Sequence, residues 1–166
     1  MLETDRLVIW PLTGEGLDEL LNEREDFENN TGYIYKGEPL EGILYDIFSK
    51  QVNIVKESEK EYYWYTMWVF AIKSTKTIIG SISCKNPPLE NKDIEIGYGI
   101  NPKYENQGYT TEVVKALSKW MLQQDIVQSV IAEVERDNIG SQRVLEKSGM
   151  KQYNITNNCF WYKLEK

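Results

Sequence analysis

Histidine is absent from this chain. Its absence excludes His-based catalytic triads, histidine general bases and histidine metal ligation. Cysteine is scarce: Cys84 and Cys159 stand far apart with no CxxC spacing, a pattern that suits free thiols in a reducing compartment. No metal site is expected. Positive charge is also short, with 19 Lys and Arg against 26 Asp and Glu and a net charge of −7. An acidic chain is poorly suited to wrapping nucleic acid or lying on an anionic membrane. Any anionic ligand must then be held by local N–H groups and dipoles. No apolar run approaches membrane-spanning length, and the acidic start lacks the apolar stretch of a secretory leader. A cytoplasmic protein is the expectation. The 166 residues, 41% hydrophobic and 27% charged, suit one domain over 1–166.

What remains is a mixed α/β pattern. Residues 6–11 read as a strand stopped by Pro11. Residues 17–22 suggest a short helix after Thr13, and 23–37 is polar enough to read as loop. Residues 40–55 place Leu40, Ile43, Leu44, Ile47, Phe48 and Val52 at helical spacing. The charged stretch 57–61 is expected to be exposed. Residues 64–72 and 77–84, joined by Lys73-Ser74-Thr75-Lys76, read as a β-hairpin, and Asn86-Pro87-Pro88 opens a loop. In 93–100, Ile94, Ile96, Tyr98 and Ile100 face one way, while Asp93, Glu95, Gly97 and Gly99 face the other. A helix over about 108–124 carries Val113, Leu117, Trp120, Met121 and Gln124 on one stripe. A strand at 128–134, a helix at 138–148 and a hairpin of 150–155 with 159–164 complete the chain. Asn138 is the expected N-cap of that last helix and Gly149 its C′ residue. The order is β-α-α-β-β-β-α-β-α-β-β, a mixed sheet flanked by helices.

One stretch carries most of the chemistry. Tyr98-Gly99-Ile100 runs as strand into the polar loop Asn101-Pro102-Lys103-Tyr104-Glu105-Asn106-Gln107-Gly108, and the loop runs directly into the helix Tyr109-Thr110-Thr111-Glu112. A helix start carries free N–H groups and a positive dipole end, which together make a seat for phosphate or pyrophosphate.

The order of four motifs resembles the GCN5-related N-acetyltransferase superfamily, and within it the ribosomal-protein N-terminal alanine acetyltransferases. The motifs are Leu2-Glu3-Thr4-Asp5-Arg6-Leu7-Val8-Ile9; Ile94-Glu95-Ile96-Gly97-Tyr98; Gln107-Gly108-Tyr109-Thr110-Thr111-Glu112; and Asn138-x-x-Ser141 through Lys147-x-Gly149. The likeness is good over 78–154 and weak over 12–65, where acceptor recognition usually lies. It implies a mixed, mostly antiparallel sheet in which the family's parallel strands 4 and 5 splay apart. It also implies acetyl-CoA as co-substrate. The backbone of Tyr98 and Ile100 would pair with the pantetheine arm like an added strand. The amides of Gln107, Gly108, Tyr109, Thr110 and Thr111 would hold the pyrophosphate, and Asn138 would contact the arm. Glu112 would complement the helix dipole. Departures are visible: Glu105 stands where the family loop begins with Gln or Arg, Asn106 where Gly is common, Thr110 where the loop ends in Gly or Ala, Trp10 where the subgroup's first strand carries Arg, and Leu145 where many relatives carry Tyr.

Acetyl transfer from a thioester needs a neutral amine. A lysine-like amine of pKa about 10.4 costs roughly 4–5 kcal/mol to neutralise at pH 7, and a general base removes much of that. Without histidine, carboxylates are the candidates, and Glu95 is the first choice as base. Ser141 on the late helix is the candidate to protonate the departing thiolate, with Tyr98 and Tyr109 as substitutes, although N3 capping or packing accounts for Ser141 more readily. The aromatic run Tyr62-Tyr63-Trp64-Tyr65, with Trp68 and Phe70, reads as sheet core sooner than as an acceptor cleft. The acceptor would be a primary amine, and the acidic chain suits a cationic one such as a protein N-terminus, a basic peptide, a polyamine or an amino-sugar. A CoA-binding sensor, or an interaction domain that has lost the cofactor, are the alternatives. The molecule is a monomer or a homodimer.

Overall fold

The computed structural model describes residues 1–58, 60–85, 87–88 and 90–166. Glu59 of the charged 57–61 stretch and Asn86 of the expected loop lie outside the described residues. Along the chain run β1 (Leu2–Glu3), β2 (Leu7–Pro11), α1 (Gly14–Asn22), α2 (Arg24–Thr31), β3 (Ile34–Tyr35), α3 (Ile43–Glu57), β4 (Met67–Ile72), β5 (Thr77–Cys84), β6 (Asp93–Ile100), α4 (Tyr109–Leu122), β7 (Ser129–Glu135), α5 (Ile139–Lys147), β8 (Lys151–Ile155) and β9 (Cys159–Glu165). The sheet order among the described residues is β1-β2-β4-β5-β6-β7-β9-β8, with β3 added beside β5. Pairing is antiparallel except at β6–β7 and β3–β5. This is the mixed sheet with flanking helices that the residue pattern predicts, mostly antiparallel as the resemblance implies.

Each face of the sheet carries its own apolar cluster. The first packs Phe70, Ile82, Ile94 and Ile96 against Val113, Val114, Leu117 and Met121 of α4 and Leu145 of α5. The second packs Met67, Val69, Ala71 and Ile78 against Leu17 and Leu20 of α1, Phe27 of α2 and Phe48, Val52 and Val55 of α3. The period-2 alternation of β4 is therefore used on both sides, Trp68 and Phe70 to α4 and Val69 and Ala71 to α1–α3. Val113, Leu117 and Met121 of the expected α4 stripe are buried, joined by Val114, with Trp120 partly buried, whereas Gln124 lies beyond the end of the helix at Leu122.

Several local readings need correction. The 23–37 segment is not loop: α2 occupies most of it, and β3 follows. This helix is nearly all polar, so no apolar period marks it. It is anchored by the single buried side chain Phe27 and closed by Gly32 at φ 72°, a left-handed stop that glycine adopts without strain. The strand expected from residue 64 begins at Met67, because Tyr62–Trp64 forms a 3₁₀ turn. α1 starts at Gly14, earlier than expected, with Thr13 capping the amide of Gly16. α3 starts at Ile43, leaving Leu40 outside the helix, and turns Ile43 and Ile47 to solvent; the buried stripe is Phe48-Val52-Val55. The aromatic run packs as expected, with Trp64, Trp68 and Tyr63 around Trp120 of α4.

Candidate active site

The site begins where β6 and β7 part. They pair in parallel at Asp93↔Ser129, Ile94↔Val130 and Glu95↔Ile131, and no rung follows among the described residues. On its other edge β6 stays paired to β5 as far as Gly80↔Ile100. The main-chain bonds Lys85 N–H to Glu95 O (2.8 Å) and Asn101 N–H to Ile79 O (2.9 Å) fix which residues point toward β5. Backbone groups alternate along a strand, so those of Tyr98 and Ile100 point into the gap. The gap lies at the C-terminal ends of two parallel strands. α4 follows β6 and α5 follows β7, so both helices start beside it.

The starts of these two helices differ. At α5, Asn138 accepts from the amide of Ser141 at 2.9 Å, an ordinary N-cap. At α4 the N-cap position is Gly108, φ 80°, with no side chain to offer. Among the described residues, the amides of Gln107, Gly108, Tyr109, Thr110 and Thr111 find no protein acceptor. Five such donors at the positive end of a 14-residue helix form a strong anion seat.

The loop tolerates its unusual residues for identifiable reasons. Asn106 takes φ 59°, a left-handed conformation that Asn accepts better than most residues with a side chain. Thr110 is buried on the inward side of α4, and Glu105 is exposed. Leu145 is 1% exposed and belongs to the core, so that position offers no proton donor.

Glu95 stands at the last rung before the gap, on the sheet face opposite Ile94 and Ile96. Its side chain is 14% exposed, and Oε1 lies 2.5 Å from Lys85 Nζ in a contact not aligned as a hydrogen bond. The same Nζ is 3.9 Å from Glu133 Oε2 on β7. Ser141 sits at N3 of α5. The Tyr98 hydroxyl donates to the Ser141 carbonyl at 3.3 Å, a bond that reaches from β6 to the helix after β7. Burial pushes the Tyr98 phenol up to about 12, against the opposing effect of its bond to Ser141. Tyr109 is turned elsewhere, its ring under the Arg6 guanidinium at 4.3 Å.

Three site residues are absent from the sequence reading. Lys85 is one. Glu38, ahead of α3, is another: its carboxylate lies against the Cα of Gly99, where an added Cβ would fall 1.5 Å from Oε2. Burial and the negative charge of Glu105 raise its pKa. The signal for a close neighbour was Gly97 and Gly99 recurring in phase with Glu95, since a strand glycine often marks close approach. The third is Arg6. It bonds both Glu112 and the Gln107 carbonyl, two partners more than a hundred residues away.

A family model described as an acetyltransferase (GNAT) domain matches residues 6–151. An uncharacterized N-acetyltransferase of Bacillus subtilis strain 168, YjdG, is 28% identical over 151 residues, spanning 90% of this chain and 88% of that protein. The ribosomal-protein-S5-alanine acetyltransferase of Vibrio fischeri superposes with a TM-score of 0.68 at 15% identity, covering 98% of this chain and 94% of that one. The Campylobacter jejuni N-acetyltransferase PseH in complex with acetyl coenzyme A superposes with a TM-score of 0.57 at 14% identity, over 96% of this chain and 98% of that one.

Proposed function

Because the chain belongs to the acetyltransferase (GNAT) domain family and is thereby an acetyl-CoA-dependent acyltransferase, we propose that it moves the acetyl group to a primary amine by direct attack within a ternary complex. The observation that carries this reading is the coincidence, at one end of the sheet, of an unpaired β6 edge and five unaccepted amides. The first suits an extended amide-bearing arm, the second a diphosphate. Acetyl-CoA supplies the thioester that is consumed and the acceptor supplies the amine; the groups that bind and orient them belong to the chain. The amides of Gln107, Gly108, Tyr109, Thr110 and Thr111 receive the diphosphate. The backbone of Tyr98 and Ile100 pairs with the arm, and an N–H there polarises the thioester oxygen. Asn138 spends its side-chain oxygen on capping and keeps its NH₂ for the arm.

Glu95 takes the proton from the amine, directly or through water. Its ion pair does not prevent this: Lys85 is half-exposed and has Glu133 as a second partner, so an arriving ammonium competes with Lys85 for the carboxylate. Ser141, at N3 of α5, offers its hydroxyl as a hydrogen-bond donor to the departing thiolate, which takes its proton from solvent, while the Tyr98 phenol holds the Ser141 carbonyl. The acceptor is cationic, attracted by the chain's excess of carboxylates and by Glu38 on the same face as Glu95.

Steady-state kinetics with acetyl-CoA and an amine panel test this. Intersecting lines are expected, with kcat lowered about 10²- to 10⁴-fold in Glu95→Gln and KM for acetyl-CoA changed less than twofold. Parallel lines, or an undiminished kcat in that variant, would contradict it. A second reading, a CoA-binding module with little transfer, draws on buried Leu145 and on the Lys85 pair at Glu95. It predicts CoA binding with no turnover on any amine.

A further inference from the structure

Arg6 stands immediately before β2, yet its side chain belongs to the loop that starts α4. Nη1 donates to the Gln107 carbonyl at 2.9 Å. Nε donates to Glu112 Oε2 at 2.8 Å, Nη2 lies 2.7 Å from the same oxygen, and the Arg6 amide donates to Oε1 at 3.1 Å. The Thr4 hydroxyl also donates to Oε1. The guanidinium carbon stands 4.3 Å over the Tyr109 ring. One side chain thus grips the loop at Gln107, Tyr109 and Glu112, on both sides of Gly108.

Two consequences follow. In a planar trans peptide the carbonyl and the following N–H point in opposite directions. With the Gln107 carbonyl held against Arg6, the Gly108 N–H is aimed away from β2. Release of that carbonyl would let the peptide turn over and place oxygen where the amides now point. Gly108, at φ 80°, is a position where such a turn meets little steric resistance. The second consequence is electrostatic. Glu112 lies in the first turn of α4, where its charge would oppose an anion at the helix start. Both of its oxygens are engaged by Arg6 and Thr4, so that charge is matched where it stands.

We propose that Arg6 is a positioning residue for diphosphate recognition, clamping the Gln107 carbonyl and the Glu112 carboxylate so that the loop amides face the ligand. The proposal rests on the reading of 107–111 as the diphosphate seat. The planar fork reaches both partners at once, which a lysine ammonium does not. Arg6 is about half-exposed, and its guanidinium stacks on Tyr109 at the edge of the core.

Calorimetric titration with CoA, alongside an NMR titration with pantetheine, which lacks every phosphate, tests the clamp in wild type, Arg6→Ala and Arg6→Lys. Arg6→Ala should weaken CoA about ten- to a hundredfold and leave pantetheine within twofold, with a cooperative melt retained. Arg6→Lys should also weaken CoA by several-fold and carries the test if the alanine variant does not fold. Equal weakening of both probes would make Arg6 merely structural and overturn the proposal. Full CoA affinity in Arg6→Lys would replace the clamp with simple charge balance. Failure of the wild type to bind CoA would remove the diphosphate seat itself, and the clamp with it.

Discussion

Two glutamates near the same loop respond to folding in opposite directions. Burial opposes the charge of Glu112, but hydrogen bonds from Thr4 and Arg6 and the Arg6 charge overcome it and lower its pKa. Burial and the neighbouring charge of Glu105 raise that of Glu38. A lowered carboxylate stabilises the fold above its unfolded pKa of about 4.3, and that gain is lost as pH falls through the folded value. A raised carboxylate stabilises the fold only in acid, and that gain is lost as pH rises through the folded value. Glu112→Gln should therefore melt lower than wild type at pH 7, by roughly 2–5 °C. Glu38→Gln should melt slightly higher at pH 7. Both differences should shrink toward zero below about pH 4, which melting curves across pH 3–8 will show. Neither partner set is legible in the chain. Glu112 meets Thr4 and Arg6 across more than a hundred residues, and Glu38 meets Gly99 through a loop with no periodic signal. The places of Glu95 on β6 and of Asn138 as the N-cap of α5 were legible because strand alternation and N-cap chemistry are local rules.

β6 does two jobs on two edges. Glu95 and Asn101 bond to β5, and the alternation puts Gly97 and Gly99 there too, while Tyr98 and Ile100 face the gap. Proline removes one N–H and is tolerated only where no ladder bond is lost. Ile100→Pro should keep a cooperative fold and weaken CoA about tenfold, whereas Gly99→Pro should fail to give soluble folded protein; circular dichroism and calorimetry separate the two. Loss of folding in both would mean that the gap-side amide of Ile100 is needed by the sheet. Elements with a strong period, β5, β6, α4 and α5, were readable to within a few residues. α2 was not, since Phe27 alone anchors it and propensity without period is a weak guide. Trp64, the last residue of the 3₁₀ turn Tyr62–Trp64, was read as the start of a strand because aromatic residues favour strands, and tertiary packing against Trp120 overrides that preference.

Across the whole molecule, a chain with net charge −7 and no histidine is read here as holding a polyanionic co-substrate. Main-chain geometry resolves the apparent conflict. Among the described residues the β6–β7 pairing ends at Glu95, two helices begin beside the opening, and the end of the loop with the first turn of α4 leaves five donors without a protein acceptor. Side chains serve mainly to hold that geometry. On the proposed reading the net carboxylate excess acts on the other substrate, and it predicts faster transfer to a cationic amine than to an anionic one. The proposed backbone recognition is compatible with Glu105, Asn106 and Thr110 in the loop, because amides do not depend on side-chain identity provided that the left-handed positions are kept.

The most direct test is an amide-resolved NMR titration of the isotopically labelled protein with CoA. The signals of Gln107, Gly108, Tyr109, Thr110 and Thr111 should move together with those of Tyr98 and Ile100, along one saturating curve in the micromolar range, while α1 and α2 stay unperturbed. Saturable shifts confined elsewhere, or none at all, would contradict a co-substrate site built from the β6 edge and the start of α4.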